Sequence, residues 1–406
     1  MLISRPYYLN QLVALKDQHL IKVITGIRRC GKSTLMSAYQ ELLLGMGISS
    51  EQIVSVNFEE RRHSEYARWQ DAYDAIASHI SKPLTYYIFL DEVQQVPQFE
   101  HLVDAFFVLK NVDLYVTGSN AYLLSSELAT LLSGRYVPIH LHPFSFAEYV
   151  SAFPEERNTD RLFRRYINSS CFPEAVTLQK SAPEMVNTYL QSLYDTVVVK
   201  DIIRHYHLRK GNQLQNIVAF IYDSIGSVVS SNNISNALKN TGVETSRNTV
   251  QKMLDYLSKS YLAYPVRLFD IRGKQLLRNN YKYYVVDLGL RNILQTNRYD
   301  ADLGHKLENV IYFELLRRGG EVYAGKAEKA EVDFVVKKPD GQMAYYQVAF
   351  TVGDEKTLQR ELAPLLRIRD AYPKYLLTLD YDISDIQGVR KLNAIDWLLE
   401  NQYITN

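Results

Sequence analysis

Residues 22–36, KVITGIRRCGKSTLM, constrain this chain more than any other stretch. An apolar run leads into a loop bounded by Gly26 and Gly31, followed by Lys32, Ser33 and Thr34 and then a helical pattern. The loop fits G-x-x-x-x-G-K-[ST]. Glycines at those two places let the backbone curl so that successive N–H groups point inward at an anion. The helix that follows adds the positive end of its dipole. The expectation is a strand, a phosphate-cradling loop and a helix, set in a parallel sheet.

On this reading Gly26, Ile27, Arg28, Arg29, Cys30, Gly31, Lys32, Ser33 and Thr34 form a cradle for ATP. Lys32 reaches the β- and γ-phosphates, and Ser33 offers its hydroxyl to Mg²⁺. Arg28 and Arg29 either add charge near the phosphates or pair with acids behind the loop, and pairing is the favoured reading. Cys30 reads as a filler position.

The surrounding pattern agrees. Apolar runs and helical spacing alternate over the first 150 residues: IKVITG, STLMSAYQELLLGMG, QIVSVNFEE, YDAIASHISK, TYYIFLDEV, FEHLVDAFFVLKNV and DLYVTGSN. That rhythm predicts a parallel sheet covered by helices on both faces. The run YYIFL ends in Asp91 and Glu92. On strands expected to neighbour the loop, both acids face the crevice at the carboxyl ends. Asp91 is then a Mg²⁺ ligand, and Glu92 orients or deprotonates the attacking water. A further buried strand ends in Thr117, Ser119 and Asn120, polar groups suited to reading the γ-phosphate. Arg135 follows in SGRY and reads either as an arginine finger acting on a neighbouring subunit or as a locally paired side chain.

Composition sets outer bounds. A chain of 406 residues accommodates several domains, and a 47% hydrophobic content supplies real cores. A net charge of +1 excludes an evenly basic surface while leaving local patches open. The two cysteines, Cys30 and Cys171, offer neither a disulfide framework nor zinc-ligand spacing, which suggests a reducing cytoplasm. The start of the chain lacks a secretory leader pattern, and the apolar runs are too short to span a bilayer.

GIRRCGKST, FLDEVQQV, TGSNAYLLSSELATLLSGRY and LHPFSFAEY together resemble the prokaryotic AAA+-type ATPases often called predicted archaeal-type ATPases, which carry a C-terminal domain of unknown function. The resemblance runs nearly the whole chain. It implies an AAA-type ATPase domain, a winged-helix segment and a C-terminal part similar to the restriction-endonuclease fold. The fold class expected is therefore α/β: a P-loop NTPase sheet, a helical and winged-helix region, and a second α/β module. The expected boundaries are 1–150, 151–210, 211–290 and 295–406.

Residues 230–285 read as helix, turn, helix and hairpin. Arg247, Asn248, Gln251 and Lys252 fall on the exposed side of the second helix. Between 267 and 282, Arg267, Arg272, Lys274, Arg278 and Lys282 oppose only Asp270. Contact with DNA phosphates through Arg247, Gln251, Lys252, Arg272 and Lys274 is one expectation, and packing against other domains, subunits or a protein partner, with a merely solvated basic wing, is the other. His205 and His207 have no further metal ligand nearby. In the last module, Glu308 on a helix, Asp333 on a strand and Gln347 on the next resemble the PD-(D/E)xK nuclease layout. The place of its lysine is held by Ala349. The expectation is a nuclease-like shape kept for binding or assembly. Strand alternation is expected to set Glu331 and Asp333 on one face and Val332, Phe334 and Val336 on the other.

Overall fold

A computed structural model describes residues 3–60, 66, 68–119, 134–204, 206–208, 211–295, 302–327 and 330–400. The chain divides into two compact units. The first is Met1–Pro143 with Lys259–Tyr261, and the second is Phe144–Ser258 with Leu262–Asn406.

The continuous apolar runs of the first unit become five strands: β1 (Ile21–Thr25), β2 (Ile53–Asn57), β3 (Tyr86–Asp91), β4 (Val112–Gly118) and β5 (Tyr136–His140). They pair in parallel in the order β2-β3-β4-β1-β5. Every residue of β1, β3 and β4 is buried, as expected of strands covered on both faces. One face packs Val54, Ile88, Leu90, Leu114 and Val116 against Ile76, Leu102, Val103 and Phe106 of the helices Trp69–Ala77 and Phe99–Phe107. Polar groups are also buried in this unit. Lys22 pairs with Asp113, whose carboxylate also accepts the Tyr115 hydroxyl at 2.8 Å. Tyr39 and Tyr115 are linked through their hydroxyls at 3.2 Å. Burial outweighs Asp113 at Lys22 and lowers the pKa of its ammonium.

The second unit opens with helices. Ser145 and Glu148 start the first by a reciprocal cap: the Ser145 side chain accepts from the Glu148 N–H at 3.2 Å, and Glu148 accepts from the Ser145 N–H at 2.8 Å. Farther on, the helices Ser231–Asn240 and Arg247–Lys259 precede a hairpin. That hairpin is part of a nine-stranded mixed sheet. Its strands are β6 (Val228–Val229), β7 (Ala263–Asp270), β8 (Gln275–Val285), β9 (Glu321–Ala327), β10 (Ala330–Lys337), β11 (Met343–Val348), β12 (Lys374–Thr378), β13 (Ser384–Ile386) and β14 (Val389–Asn393). Their order is β13-β14-β12-β11-β10-β9-β7-β8-β6. The parallel pairing of β7 with β9 joins the hairpin to the strands after residue 300, so one sheet crosses the boundary expected near 290–295.

A register shift between Val332 and Val335 interrupts the alternation expected along β10. Val332 and Val335 pack together with Tyr345, whereas Phe334 turns to Tyr284 and Tyr312. The expected common face for Val332, Phe334 and Val336 is therefore corrected by the bulge. Among the described residues no helix is long and apolar enough to cross a membrane.

Candidate functional site

The loop between β1 and the helix Lys32–Gly45 is shaped by its two glycines. Gly26 has φ +148°, and a Cβ there would lie 2.2 Å from the Leu141 carbonyl oxygen. Gly31 caps the helix with φ +100°. Arg5 braces the loop and the segment after β5, donating to the Cys30 carbonyl at 3.2 Å and the His142 carbonyl at 2.7 Å. Nothing in the sequence marked Arg5, because its partners are backbone carbonyls 25 and 137 residues away. Arg28 pairs with Glu59 at 2.9 Å, the pairing favoured from the sequence, while Arg29 is exposed with φ +68°. Cys30 is buried, and burial raises its thiol pKa.

Lys32 folds back over the loop and donates to the carbonyls of Gly26 at 3.1 Å and Ile27 at 3.4 Å. Its ammonium is 3.4 Å from Glu92. Glu92 begins a turn in the left-handed region, φ +52°, immediately after β3. Burial alone would raise its carboxyl pKa. Lys32, a hydrogen bond from Gln94, Arg28 and Ser119 outweigh that and hold it below the ordinary range. Gln94 donates to Glu92 through Nε2, and its own Oε1 is buried with no hydrogen-bond partner among the described residues. A glutamine two residues past an acid carries no sequence signal, so only the fold reveals Gln94.

β1 and β3 are not adjacent. β4 lies between them and corrects the expected neighbourhood. The consequence is chemical, since Thr117 near the end of β4 bridges the two acids. Its hydroxyl donates to Asp91 and accepts the Glu92 N–H at 2.9 Å. Ser33 and Thr34 are exposed at the start of the helix. His140, at the end of β5, lies 3.0 Å from the Thr25 hydroxyl. Burial, assisted by Lys32, pushes its pKa down to about 3, so the imidazole is neutral near pH 7. Asn120 lies outside the described residues.

Arg135 is at the other end of the sheet. Its carbonyl accepts the N–H of Ile21, the first residue of β1, whereas the loop follows the last. Its side chain pairs with Asp104 at 3.0 Å and lies over Phe107. The fold therefore does not bring Arg135 to the loop of its own chain.

In the second unit, Arg247, Gln251, Lys252, Arg272 and Lys274 are all exposed. Lys282, counted with them in the basic stretch, is buried, because β8 turns its side chain into the sheet's interior. Its ammonium lies 3.1 Å from Glu308, 3.6 Å from Asp333 and 3.8 Å from Glu331. Glu331 and Asp333 thus share a face, as alternation predicts. Glu308 also accepts from the Tyr284 hydroxyl at 2.5 Å. Asp333 accepts the Val348 N–H at 2.8 Å, and Gln347 donates to Glu361 at 2.9 Å. Burial and Glu308 push the Asp333 carboxyl up to about 7, against the opposing pull of Lys282. Lys329, which strand alternation in the sequence puts in line with Glu331 and Asp333 as a stand-in for the missing lysine, lies outside the described residues. The sequence could not show that a lysine from β8 enters this acidic group, because 26 residues separate it from Glu308.

A family model described as an AAA domain matches residues 18–150, and a model for a domain of unknown function matches 160–301. A protein of Haemophilus influenzae described only as uncharacterized is 38% identical over 404 residues, covering 98% of this chain and 99% of that one. The chain belongs to that protein's family. Uncharacterized protein MJ1544 of Methanocaldococcus jannaschii is 25% identical over 382 residues, covering 89% of this chain and 80% of its own length. The Walker-type ATPase PABY2304 of Pyrococcus abyssi has a similar fold, with a TM-score of 0.50 and 14% identity over 72% of this chain and 96% of that one. Over the residues that match the AAA domain, the β2-β3-β4-β1-β5 sheet and its glycine-bounded loop have a P-loop NTPase fold.

Proposed function

We propose that this AAA protein is a Mg²⁺-dependent ATPase whose nucleotide state governs a nucleic-acid-binding module in its second unit. The observation that carries the reading is the convergence of Lys32, Glu92, Asp91 and Thr117 beside the loop 26–33. A triphosphate fits the residues present: a nest built on Gly26, a helix start, and one buried ammonium to meet the phosphate charge.

Backbone N–H groups of residues 26–34 hold the β- and γ-phosphates, and Lys32 exchanges Glu92 for them. Ser33 and Asp91 would hold magnesium, which when bound supplies positive charge against the charge developing on the phosphates. Glu92 accepts a proton from the water that attacks the γ-phosphorus, giving ADP and inorganic phosphate. Thr117 keeps Asp91 and the Glu92 backbone in register, and Asn120 reads the γ-phosphate. A general base is worth about 10²–10⁴-fold in rate. Arg135 acts, on this reading, across a homo-oligomer interface. Steady-state ATP hydrolysis of wild type against Glu92→Gln, with nucleotide binding measured in parallel, tests it. Retained binding with hydrolysis lost supports the ATPase, and equal hydrolysis by both proteins overturns it.

A second reading is a nucleotide-gated switch that turns over rarely. It draws on the Lys32–Glu92 pair, which keeps the base occupied until a phosphate displaces it. In the second unit, the exposed set Arg247, Gln251, Lys252, Arg272 and Lys274 supports contact with DNA through a helix and a hairpin tip. Glu308, Asp333 and Gln347 serve binding or assembly, because Lys282 pairs with the two buried acids, Glu308 and Asp333, that cleavage would need free for a metal ion.

A further inference from the structure

A cavity of about 620 Å³ opens in the second unit between the tip of the β7–β8 hairpin and the carboxyl end of the helix Glu355–Leu366. Its floor is apolar: Ile271, Ala327, Leu366 and Ile368. Its rim carries Arg272 and Lys274 from the hairpin and Arg367 and Arg369 from beyond the helix, all four exposed. The one lining acid, Asp370, is engaged elsewhere. Its carboxylate accepts the Tyr345 hydroxyl at 2.6 Å and the Tyr372 N–H at 3.2 Å. Among the described residues Lys274, Arg367 and Arg369 form no ion pair. Four cations against one carboxylate leave +3 on the lining, and the helix's carboxyl end offsets only about half a charge. Arg367 and Arg369 are separated by one residue and stood out in no sequence pattern. Only the fold sets them opposite the hairpin tip, some 95 positions earlier.

We infer that this cavity binds a nucleic-acid strand, with phosphates on the four-cation rim and an unstacked base on the apolar floor. Guanidinium forks suit phosphate oxygens, and a polyanion satisfies cations spread over two elements better than one small anion does. A volume of about 620 Å³ exceeds what a single phosphate fills, and an apolar floor offers a phosphate nothing. A base in a duplex is stacked and cannot reach the floor, so single strands are preferred. The inference rests on the reading of the second unit as a nucleic-acid-binding module and gives it a site beyond the helix Arg247–Lys259.

The test is fluorescence anisotropy of a labelled 20-nucleotide single strand and its duplex, on the full chain, without ATP, over a series of salt concentrations. The variants are Arg367→Ala/Arg369→Ala, Lys274→Ala, and Arg247→Ala/Lys252→Ala, each shown by thermal melting to be folded. The expected result is at least a tenfold loss of single-strand affinity for the double-arginine variant. Its salt slope should fall by about 1.4, two phosphate contacts at about 0.7 each. Lys274→Ala, at the exposed tip, should lose affinity in the same direction and serves if the double variant does not fold. Equal or tighter duplex binding through these arginines overturns the unstacked base. Millimolar ATP displacing the strand from Lys32→Ala protein, whose loop has lost its phosphate-binding ammonium, would assign the cavity to free nucleotide and overturn the strand. Unchanged affinity in both pocket variants, with loss in Arg247→Ala/Lys252→Ala, sinks the cavity and leaves the module reading standing. No binding of either DNA by wild type sinks both.

Discussion

Lys32 Nζ lies 3.4 Å from Glu92 Oε1, so the side chain suited to gripping phosphate and the one suited to activating water hold each other. Both are almost fully buried. On the proposed ATPase reading, nucleotide binding breaks this pair and replaces it with a phosphate at Lys32, which releases Glu92 for the water. Glu92→Gln removes the base and weakens the pair without changing the shape. Hydrolysis should fall at least ~10²-fold. The dissociation constant for ATP should hold or decrease, because Lys32 no longer has to leave a carboxylate. Single-turnover kinetics and calorimetric titration read the two effects separately.

The same pair predicts a pH dependence of stability. The Glu92 carboxyl pKa is lower in the folded chain than its ordinary value of 4.5. Its contribution is therefore complete above about pH 4.5 and is lost as pH falls through the folded value. The difference in melting temperature between wild type and Glu92→Gln should be flat from pH 7 to 5. It should shrink below pH 4.5, as measured by differential scanning calorimetry.

Thr117 is the hinge pin of the two acids, donating to Asp91 and accepting from the Glu92 N–H. Thr117→Val keeps the shape and deletes both bonds. A cost of about 1–3 kcal/mol is expected from the buried groups left unpaired. Hydrolysis should drop about tenfold or more and require more magnesium for half-maximal rate. Thr117→Ser should restore the magnesium dependence, and a serine variant no better than valine would show that the hydroxyl is not what matters.

Arg135 stands at the start of β5, remote from its own loop, where it pairs with Asp104. Arg135→Ala should cost little stability, because an exposed pair is worth at most ~1 kcal/mol. If this arginine completes a neighbour's site, Arg135→Ala mixed with Lys32→Ala should recover part of the hydrolysis that each lacks. A confirmed mixed oligomer with no recovery would remove the arginine from the mechanism.

Lys282 fixes the acids of the second unit. Lys282→Met should destabilise by about 3–5 kcal/mol, since it strands buried carboxylates. The Asp333 carboxyl is raised by burial and Glu308 from 3.8 to about 7. Between those values the folded state holds a proton that the unfolded chain has lost, so stability falls as pH rises from about 4 to 7. Asp333→Asn should therefore gain stability over wild type progressively across that window and by a constant amount above it, as read from urea midpoints.

Local order in the sequence determined the β1–loop–helix unit, the strand ending in Asp91 and Glu92, and the helix pair followed by a hairpin. In each case the signal lies between near neighbours: glycines that alone fit a backbone turn, apolar runs that must be buried, and turn residues between periodic segments. What only the tertiary structure decided came from partners far apart in the chain. β4 intervened between β1 and β3, so a threonine joined the two acids. The β10 bulge separated Phe334 from Val332. Lys282, one of a row of cations in the sequence, went to the interior because β8 turned it toward Glu308. Arg367 and Arg369 met the hairpin tip only through the packing of a helix against a shared sheet. Periodicity tells which side of an element is buried. It carries no information on which other element lies against that side, and most of the site chemistry here depends on that choice.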